Sequence, residues 1–227
     1  MKIRKMFNTT KKEIESKKFN IFIGISLGNK WFTKEHLREY LNWALDYTKD
    51  RVLFLIADNI QAINYNARNK QSMESALKKA IKEGDRIGLI IKELILELSK
   101  EQQNKVEILR WEEYEQCDNF YKKYILRIHN KFEKDLKFKE EILKLVRNSI
   151  KDKVFSSEDY LSLSNYLLEE FISIYSGISY CQNYYGLYIY PQDTLIPYFI
   201  KKVHHGNLFP ELNEKLPKEK VALAVMN

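Results

Sequence analysis

The chain has few of the residues that break or staple a fold. Its 227 residues include four prolines and seven glycines, so no stretch reads as a long disordered linker. Cys117 and Cys181 lie far apart and neither belongs to a C-x-x-C pair, which argues against a disulfide framework or a structural zinc site. His36, His129, His204 and His205 show no H-E-x-x-H or similar spacing, so no metal is expected. No apolar run approaches the ~18–20 residues needed to cross a bilayer. The basic start, MKIRKMFNTTKKEIESKKFN, lacks the apolar core of a secretory signal. The expectation is a cytoplasmic protein with no membrane contact.

What is there is an ordinary globular composition with a net charge of +7. That charge favours polyanions, but scattered lysines leave no footprint and equally serve solubility. Residues 20–26 read as a buried strand. Residues 33–49 carry helical spacing behind a Thr33 N-cap. The continuous apolar run at 51–57 suits a strand covered on both faces. A long helix is expected over roughly 66–100, with Met73, Leu77, Ala80, Ile81, Gly84, Ile87, Gly88 and Ile91 on one stripe. A strand at 106–111, helical sequence over 115–150, a helix over 156–178 capped by Ser156 or Ser157, and a strand at 187–191 follow. The end of the chain, KLPKEKVALAVMN, reads as irregular or as a terminal strand. Alternation of strands and helices implies right-handed crossovers and a parallel sheet. The fold class is therefore α/β: a single Rossmann-like domain over 1–227, with a mainly parallel central sheet flanked by helices. Residues 1–18 form a basic N-terminal segment and 211–227 a C-terminal tail.

Gly24-Ile25-Ser26-Leu27-Gly28 matches G-x-S-x-G, which can hold a nucleophilic serine on a sharp turn after a strand. In parallel sheets ligands bind beyond the carboxyl ends of the strands, where Ser26 falls. A serine there can also be a plain turn residue. A hydrolase triad would need a late base such as His204 or His205 and an acid such as Asp193, but only 25 residues precede Ser26, too few for the upstream sheet of that fold. A second arrangement needs no histidine. Tyr166 and Glu170 are four residues apart and share one helix face, where a phenol and a carboxylate can hold an ammonium group and take its proton. Glu169 points elsewhere.

These motifs, in order, resemble the tRNA-dependent cyclodipeptide synthases. The resemblance rests on Phe22-Ile23-Gly24-Ile25-Ser26 with Asn29 three residues on, on Tyr166-Leu167-Leu168-Glu169-Glu170, and on the Tyr190-Pro191 of YIYP. It spans about 20 to 200. Asn20 stands where the family often has histidine, and Ile172 where it often has proline. The resemblance implies a fold like the class I (tyrosyl/tryptophanyl) aminoacyl-tRNA synthetase catalytic domain and an aminoacyltransferase that joins amino acids from two aminoacyl-tRNAs into a cyclic dipeptide. The implied route is ping-pong, through an aminoacyl-serine and a dipeptidyl-enzyme. Neither HIGH-like nor KMSKS-like motifs nor a P-loop is present, in keeping with substrates that arrive activated, without ATP or cofactor.

The resemblance also implies roles. Ser26 is the nucleophile, and Tyr166 and Glu170 grip the α-amino group. Tyr190 relays a proton or stabilises an oxyanion, and Asn29 bonds near the same centre. Gly24 keeps the strand end open for the acyl group. Phe22, Ser173 and Tyr188 are expected at the first amino-acid pocket, where Ser173 and Tyr188 would favour a polar side chain. Lys78, Lys79, Lys82 and Arg86 are expected as a basic ridge for the tRNA acceptor arm, although Glu83 and Asp85 dilute its charge. A monomer is expected. The competing readings are a serine hydrolase or acyltransferase and a non-catalytic RNA-binding domain.

Overall fold

The computed structural model describes residues 1–150, 155–215 and 221–226. Seven strands are present among them: β1 (Ile3–Phe7), β2 (Asn20–Ser26), β3 (Val52–Ala57), β4 (Val106–Arg110), β5 (Ile178–Tyr180), β6 (Asn183–Tyr190) and β7 (Ala222–Met226). They form one sheet in the order β1-β7-β6-β2-β3-β4, with β5 folded back on β6. From β7 to β4 every pairing is parallel, and only β1 and β5 run antiparallel to their neighbours. The fold is the expected α/β type with a mainly parallel sheet.

Helices α1 (Lys11–Glu15), α2 (Lys34–Tyr47), α3 (Gln61–Asn69), α4 (Met73–Leu96), α5 (Lys100–Gln103), α6 (Trp111–Cys117), α7 (Asn119–Lys134), α8 (Leu136–Ser149), α9 (Ser157–Ser176) and α10 (Ile196–His204), with a 3-10 helix at Pro210–Lys215, connect or flank the strands. Side chains alternate across each strand, so β2 feeds both faces of the sheet. Ile21, Ile23 and Ile25 pack with Leu37, Leu41, Ile87 and Ile91 from α2 and α4. Phe22 belongs to the opposite layer, with Trp111, Phe138, Leu168 and Phe171.

The segment expected as one helix over 66–100 is three. Lys70 turns the chain with φ +54°, and Ser72 then caps α4 by accepting from Ser75 N at 3.2 Å. The expected stripe is also displaced. Met73, Leu77 and Ile81 are exposed, while Ala76, Ala80, Gly84, Ile87, Gly88 and Ile91 face inward. The reason is close helix approach. Ala76 and Ala80 pack on Ala62 and Tyr65 of α3. At Gly84 a methyl group would lie 2.9 Å from Asp58 Cβ. Small residues therefore define the buried face, and the larger apolar ones are left outside.

The 115–150 stretch breaks at two aspartates. Asp135 ends α7 and caps α8. Asp118 is buried and bridges two elements: Oδ1 accepts from Tyr121 N at 2.8 Å and Oδ2 from Ser179 N at 2.9 Å, tying α7 to β5. The basic segment 1–18 holds β1 and α1, and the tail 211–227 supplies β7, which lies between β1 and β6. Residues 216–220 of that tail lie outside the described residues. No helix among the described residues is long and apolar enough to cross a membrane.

Replacing Asp118 with alanine leaves the buried N–H of Tyr121 and the part-buried N–H of Ser179 without their acceptor. The expected loss is about 2 kcal/mol of stability, read as a lower urea midpoint, with Asp118→Asn costing less.

Candidate active site

The site forms where two parallel strands end side by side. Ile23 of β2 pairs with Ile189 of β6, so Ser26 and Tyr190 emerge together at the carboxyl edge. Tyr190 Oη donates to Ser26 Oγ at 3.2 Å. The chain then turns sharply, with Asn29 N donating to Ser26 O at 3.3 Å. Gly28 occupies the third turn position with φ +80°, a type II geometry that suits glycine. The second glycine of the G-x-S-x-G pattern therefore serves the turn, and the turn aims Asn29 back at the serine. Asn29 Nδ2 donates to Tyr190 Oη at 3.4 Å, while its Oδ1 accepts from Trp31 N at 3.0 Å.

Helix α9 brings the second pair. Tyr166 Oη donates to Glu170 Oε1 at 3.0 Å, and both groups are within hydrogen-bonding reach of the Ser26 hydroxyl. Burial lifts the Glu170 carboxyl to about 7, although hydrogen bonds from Tyr166 and Ser26 pull the other way. Burial, followed by the nearby Glu170 charge, holds Tyr166 and Tyr190 above the ordinary phenol range. The phenols thus remain donors at neutral pH, while the carboxyl sits near the point where it can take or give a proton. Five of the expected residues, Ser26, Asn29, Tyr166, Glu170 and Tyr190, converge here.

They line a cavity of about 800 Å³ with two unlike arms. One, between α8, α9 and α10, is walled by Val146, Ile150, Leu163, Leu167, Ile174 and Ile196. The other, between α3 and α4, carries Gln61, Asn64, Tyr65, Arg68, Lys79 and Glu83. Apart from Lys79, expected as part of the basic ridge, this polar arm was missed in the sequence. Its signal was a stripe of amides and a cation at 61, 64 and 68, directly after an all-apolar strand.

Three expected pocket residues stand elsewhere. Phe22 is fully buried beneath Tyr188, with ring centroids 4.9 Å apart. Gly24 does not open space for an acyl group. A Cβ there would lie 2.6 Å from Tyr188 Cε2, so the glycine is the bed of that ring. Ser173 is buried, does not line the cavity, and donates its hydroxyl to Glu170 O at 2.9 Å, which removes its expected polar contribution. Tyr188 does line the cavity and stacks on Tyr190. Lys78, Lys79, Lys82 and Arg86 are exposed along α4. Lys78 bonds Glu74 at 2.6 Å, Lys79 lies over the Tyr65 ring, and Arg86 lines a smaller cleft of about 560 Å³ beyond the Ser26 turn.

The triad of a hydrolase is not assembled. His204 is buried against the Tyr175 ring, with Nε2 3.1 Å from Tyr175 O, and Asp193 pairs with Lys5. No histidine lines the cavity. Asn20 closes the other end of β2: its Oδ1 accepts from Asp50 N and Arg51 N, and its Nδ2 donates to Tyr184 O.

The profile of the cyclodipeptide synthase family matches residues 5–170. The chain belongs to the cyclodipeptide synthase family. Solved structures agree on the fold. A Bacillus thermoamylovorans cyclodipeptide synthase superposes with TM-score 0.75 at 18% identity, over 95% of this chain and 91% of that one. A Mycobacterium tuberculosis protein, described as showing that cyclodipeptide synthetases are related to type I tRNA synthetases, gives 0.72 at 19%, over 96% and 89%. A synthase from Candidatus Glomeribacter gigasporarum, bound to Phe-tRNAPhe, gives 0.57 at 14%, over 91% and 88%. No curated protein sequence matches the chain.

In this synthase Gly24→Ala should force the Tyr188 ring off Phe22 and disturb Tyr190 through their stacking. The expected result is a lower melting temperature and loss of activity, with Tyr188→Leu restoring the melting temperature in the double variant.

Proposed function

We propose that this cyclodipeptide synthase draws both amino acids from aminoacyl-tRNAs and joins them by ping-pong catalysis on Ser26. The observation that carries this reading is the serine hydroxyl set between Tyr190 and the Tyr166–Glu170 pair at the mouth of a two-armed cavity. An aminoacyl ester is already an acyl donor, so the step needs neither ATP nor a cofactor. The tRNA-bound relative supports the choice of donor.

In the first step Ser26 Oγ attacks the ester carbonyl of the first substrate. The bond to the terminal ribose oxygen breaks, and the serine proton passes through Glu170 or Tyr190 to that leaving oxygen. Tyr166 and Glu170 hold the α-ammonium group of the aminoacyl-serine. Tyr190, supported by Asn29, donates to the developing oxyanion. Once deprotonated, the amine of the bound residue attacks the second aminoacyl ester, and the second tRNA leaves. The free amine of the dipeptidyl-serine then attacks the serine ester, closing the ring and returning the proton to Ser26. Glu170, poised near 7, is the natural acceptor for the ammonium proton.

The apolar arm suits an apolar side chain, because a polar one would lose its water without finding a partner. The polar arm is contiguous with α4 through Lys79, so an aminoacyl-tRNA entering by it would bring its ribose-phosphate end next to the Lys78, Lys82 and Arg86 ridge. Its contacts go to phosphates and read no sequence. We take the chain to act as a cytoplasmic monomer with a single catalytic domain.

Mass spectrometry of culture medium and protein from a bacterium expressing wild type or Ser26→Ala tests the route. Wild type should release cyclic dipeptides rich in apolar residues and carry an aminoacyl increment on Ser26. Ser26→Ala should show neither, and tRNA binding without product or adduct in wild type would instead mark a non-catalytic RNA-binding domain. The pH profile tests Glu170. Its raised value means the carboxyl is neutral below about 7, so kcat/KM should climb as pH rises through that region, and Glu170→Gln should be slow and lose this step. Lys78→Glu with Lys82→Glu should raise KM for aminoacyl-tRNA and leave kcat near wild type. Unchanged KM with lost turnover would remove the ridge from substrate binding.

A further inference from the structure

A concentration of positive charge lies on α7, away from the catalytic cavity. This helix carries Lys122, Lys123, Arg127, Lys131 and Lys134 against a single acid, Glu133. Helix α4, by contrast, sets Lys78, Lys79, Lys82, Arg86 and Lys92 against Glu74, Glu83, Asp85 and Glu93. Of these five cations only Lys131 is in an ion pair among the described residues, with Asp135 and Glu211. Lys122, Lys123, Arg127 and Lys134 make no ion pair among the described residues, and all four are exposed.

Their spacing is regular. Lys123, Arg127, Asn130 and Lys134 recur at i, i+4, i+7 and i+11, one stripe along an α-helix roughly 16 Å long. Two of the cations are held in place. Lys123 Nζ lies 5.6 Å and Arg127 Cζ 5.4 Å from the centroid of the Tyr124 ring, which itself stacks on Phe120 at 4.1 Å. Aligned cations with few acidic neighbours gain most from a partner that carries regularly spaced negative charge.

We propose that this α7 stripe is a second docking surface for the ribose-phosphate backbone of a tRNA, separate from the cavity and from the α4 ridge. The inference rests on the aminoacyl-tRNA reading and extends it. A folded tRNA is a polyanion large enough to touch surfaces on more than one side of this chain. Helix α7 lies one layer behind the site, since Glu169 of α9 meets Tyr121 and His129 of α7 while Glu170 faces Ser26. The stripe has no exposed aromatic on which a base could stack, so its contacts are phosphate contacts and do not depend on sequence. An anionic membrane is the weaker fit. Insertion needs an apolar face, and that of α7 (Tyr121, Tyr124, Ile128, Phe132) is buried in the core, leaving Leu126 alone on the exposed side.

The test compares the full chain, the variant Lys123→Glu/Arg127→Glu/Lys134→Glu and a control, Lys12→Glu/Lys49→Glu/Lys100→Glu, that loses the same net charge. Each is titrated with bulk uncharged tRNA between 50 and 200 mM KCl, and with vesicles of anionic phospholipid. The α7 variant should bind tRNA about tenfold or more weakly than the control, with a salt slope shallower by about 2. Its circular dichroism melt should match wild type, and product formation should recover at high aminoacyl-tRNA. If wild type and the control bind tRNA and make cyclic dipeptide while the α7 variant binds equally well, the second surface is refuted and the synthase reading stands. Charge-dependent binding to vesicles with tRNA affinity unaltered would assign the stripe to lipid and overturn the proposal. Wild type that neither binds tRNA nor forms product would overturn the aminoacyl-tRNA reading itself.

Discussion

The parallel pairing of β2 with β6 is the constraint on which the site depends. Ser26 and Tyr190 are separated by 164 positions, yet their strands run in the same direction and end at the same edge. Each strand is in turn flanked on its other side, β2 by β3 and β6 by β7. A shift of one residue in the β2–β6 register would turn alternate side chains to the opposite face. It would send Phe22 into the α2–α4 layer and break the serine–tyrosine contact together. The packing of Phe22, Gly24 and Tyr188 makes that shift costly, since the Tyr188 ring lies on a position where only a hydrogen fits. Catalytic geometry and core packing are set by the same interaction.

Withdrawal from water does the remaining electrostatic work. The phenols of Tyr166 and Tyr190 are pushed upward, which keeps them protonated and able to donate. The same burial carries Glu170 toward neutrality, where a carboxyl exchanges protons most readily at physiological pH. A raised carboxyl works against folding as pH rises, because the native state holds the proton longer than the unfolded chain does. Between the ordinary carboxylate range and about 7, stability contributed by neutral Glu170 is progressively lost. The role proposed for Glu170 accounts for the site keeping this group in spite of that cost, since an arriving ammonium group would offset it by supplying the missing counter-charge.

Much of this was legible in the sequence because the decisive signals are local. The run at 20–26 reads as a buried strand, and the apolar run at 51–57 suits a strand covered on both faces. Tyr166 and Glu170 at i and i+4 must share a helix face whatever surrounds them. The chain ends were less legible. IRKMF sets two adjacent cations between apolar residues rather than alternating, it is short, and its partner β7 lies over two hundred residues away. The α4 stripe misled for another reason. Periodicity identifies an apolar face but not which side of it touches a neighbour, and Ala76, Ala80 and Gly84 prevailed because small residues allow helices to approach closely. Phe22, Gly24 and Ser173 were placed in a pocket by resemblance. The bulky Tyr188 of this chain occupies the space over Gly24, and the Ser173 hydroxyl is satisfied by its own helix.

That occupancy changes where specificity resides. With the ring of Tyr188 over Gly24, the proposed reading puts side-chain selection at the arm between α8, α9 and α10. Its wall of branched aliphatic residues can discriminate by shape and volume but has little to offer a polar group. Discrimination by such a wall is worth only about 1–3 kcal/mol per methylene. On the proposed reading, a synthase built this way would depend on the tRNA for affinity and on the wall for a broad apolar preference. The charge distribution fits the same logic: cations lie outside the cavity on α4 and α7, where the proposed reading has them meet the part of the substrate that every aminoacyl-tRNA has in common.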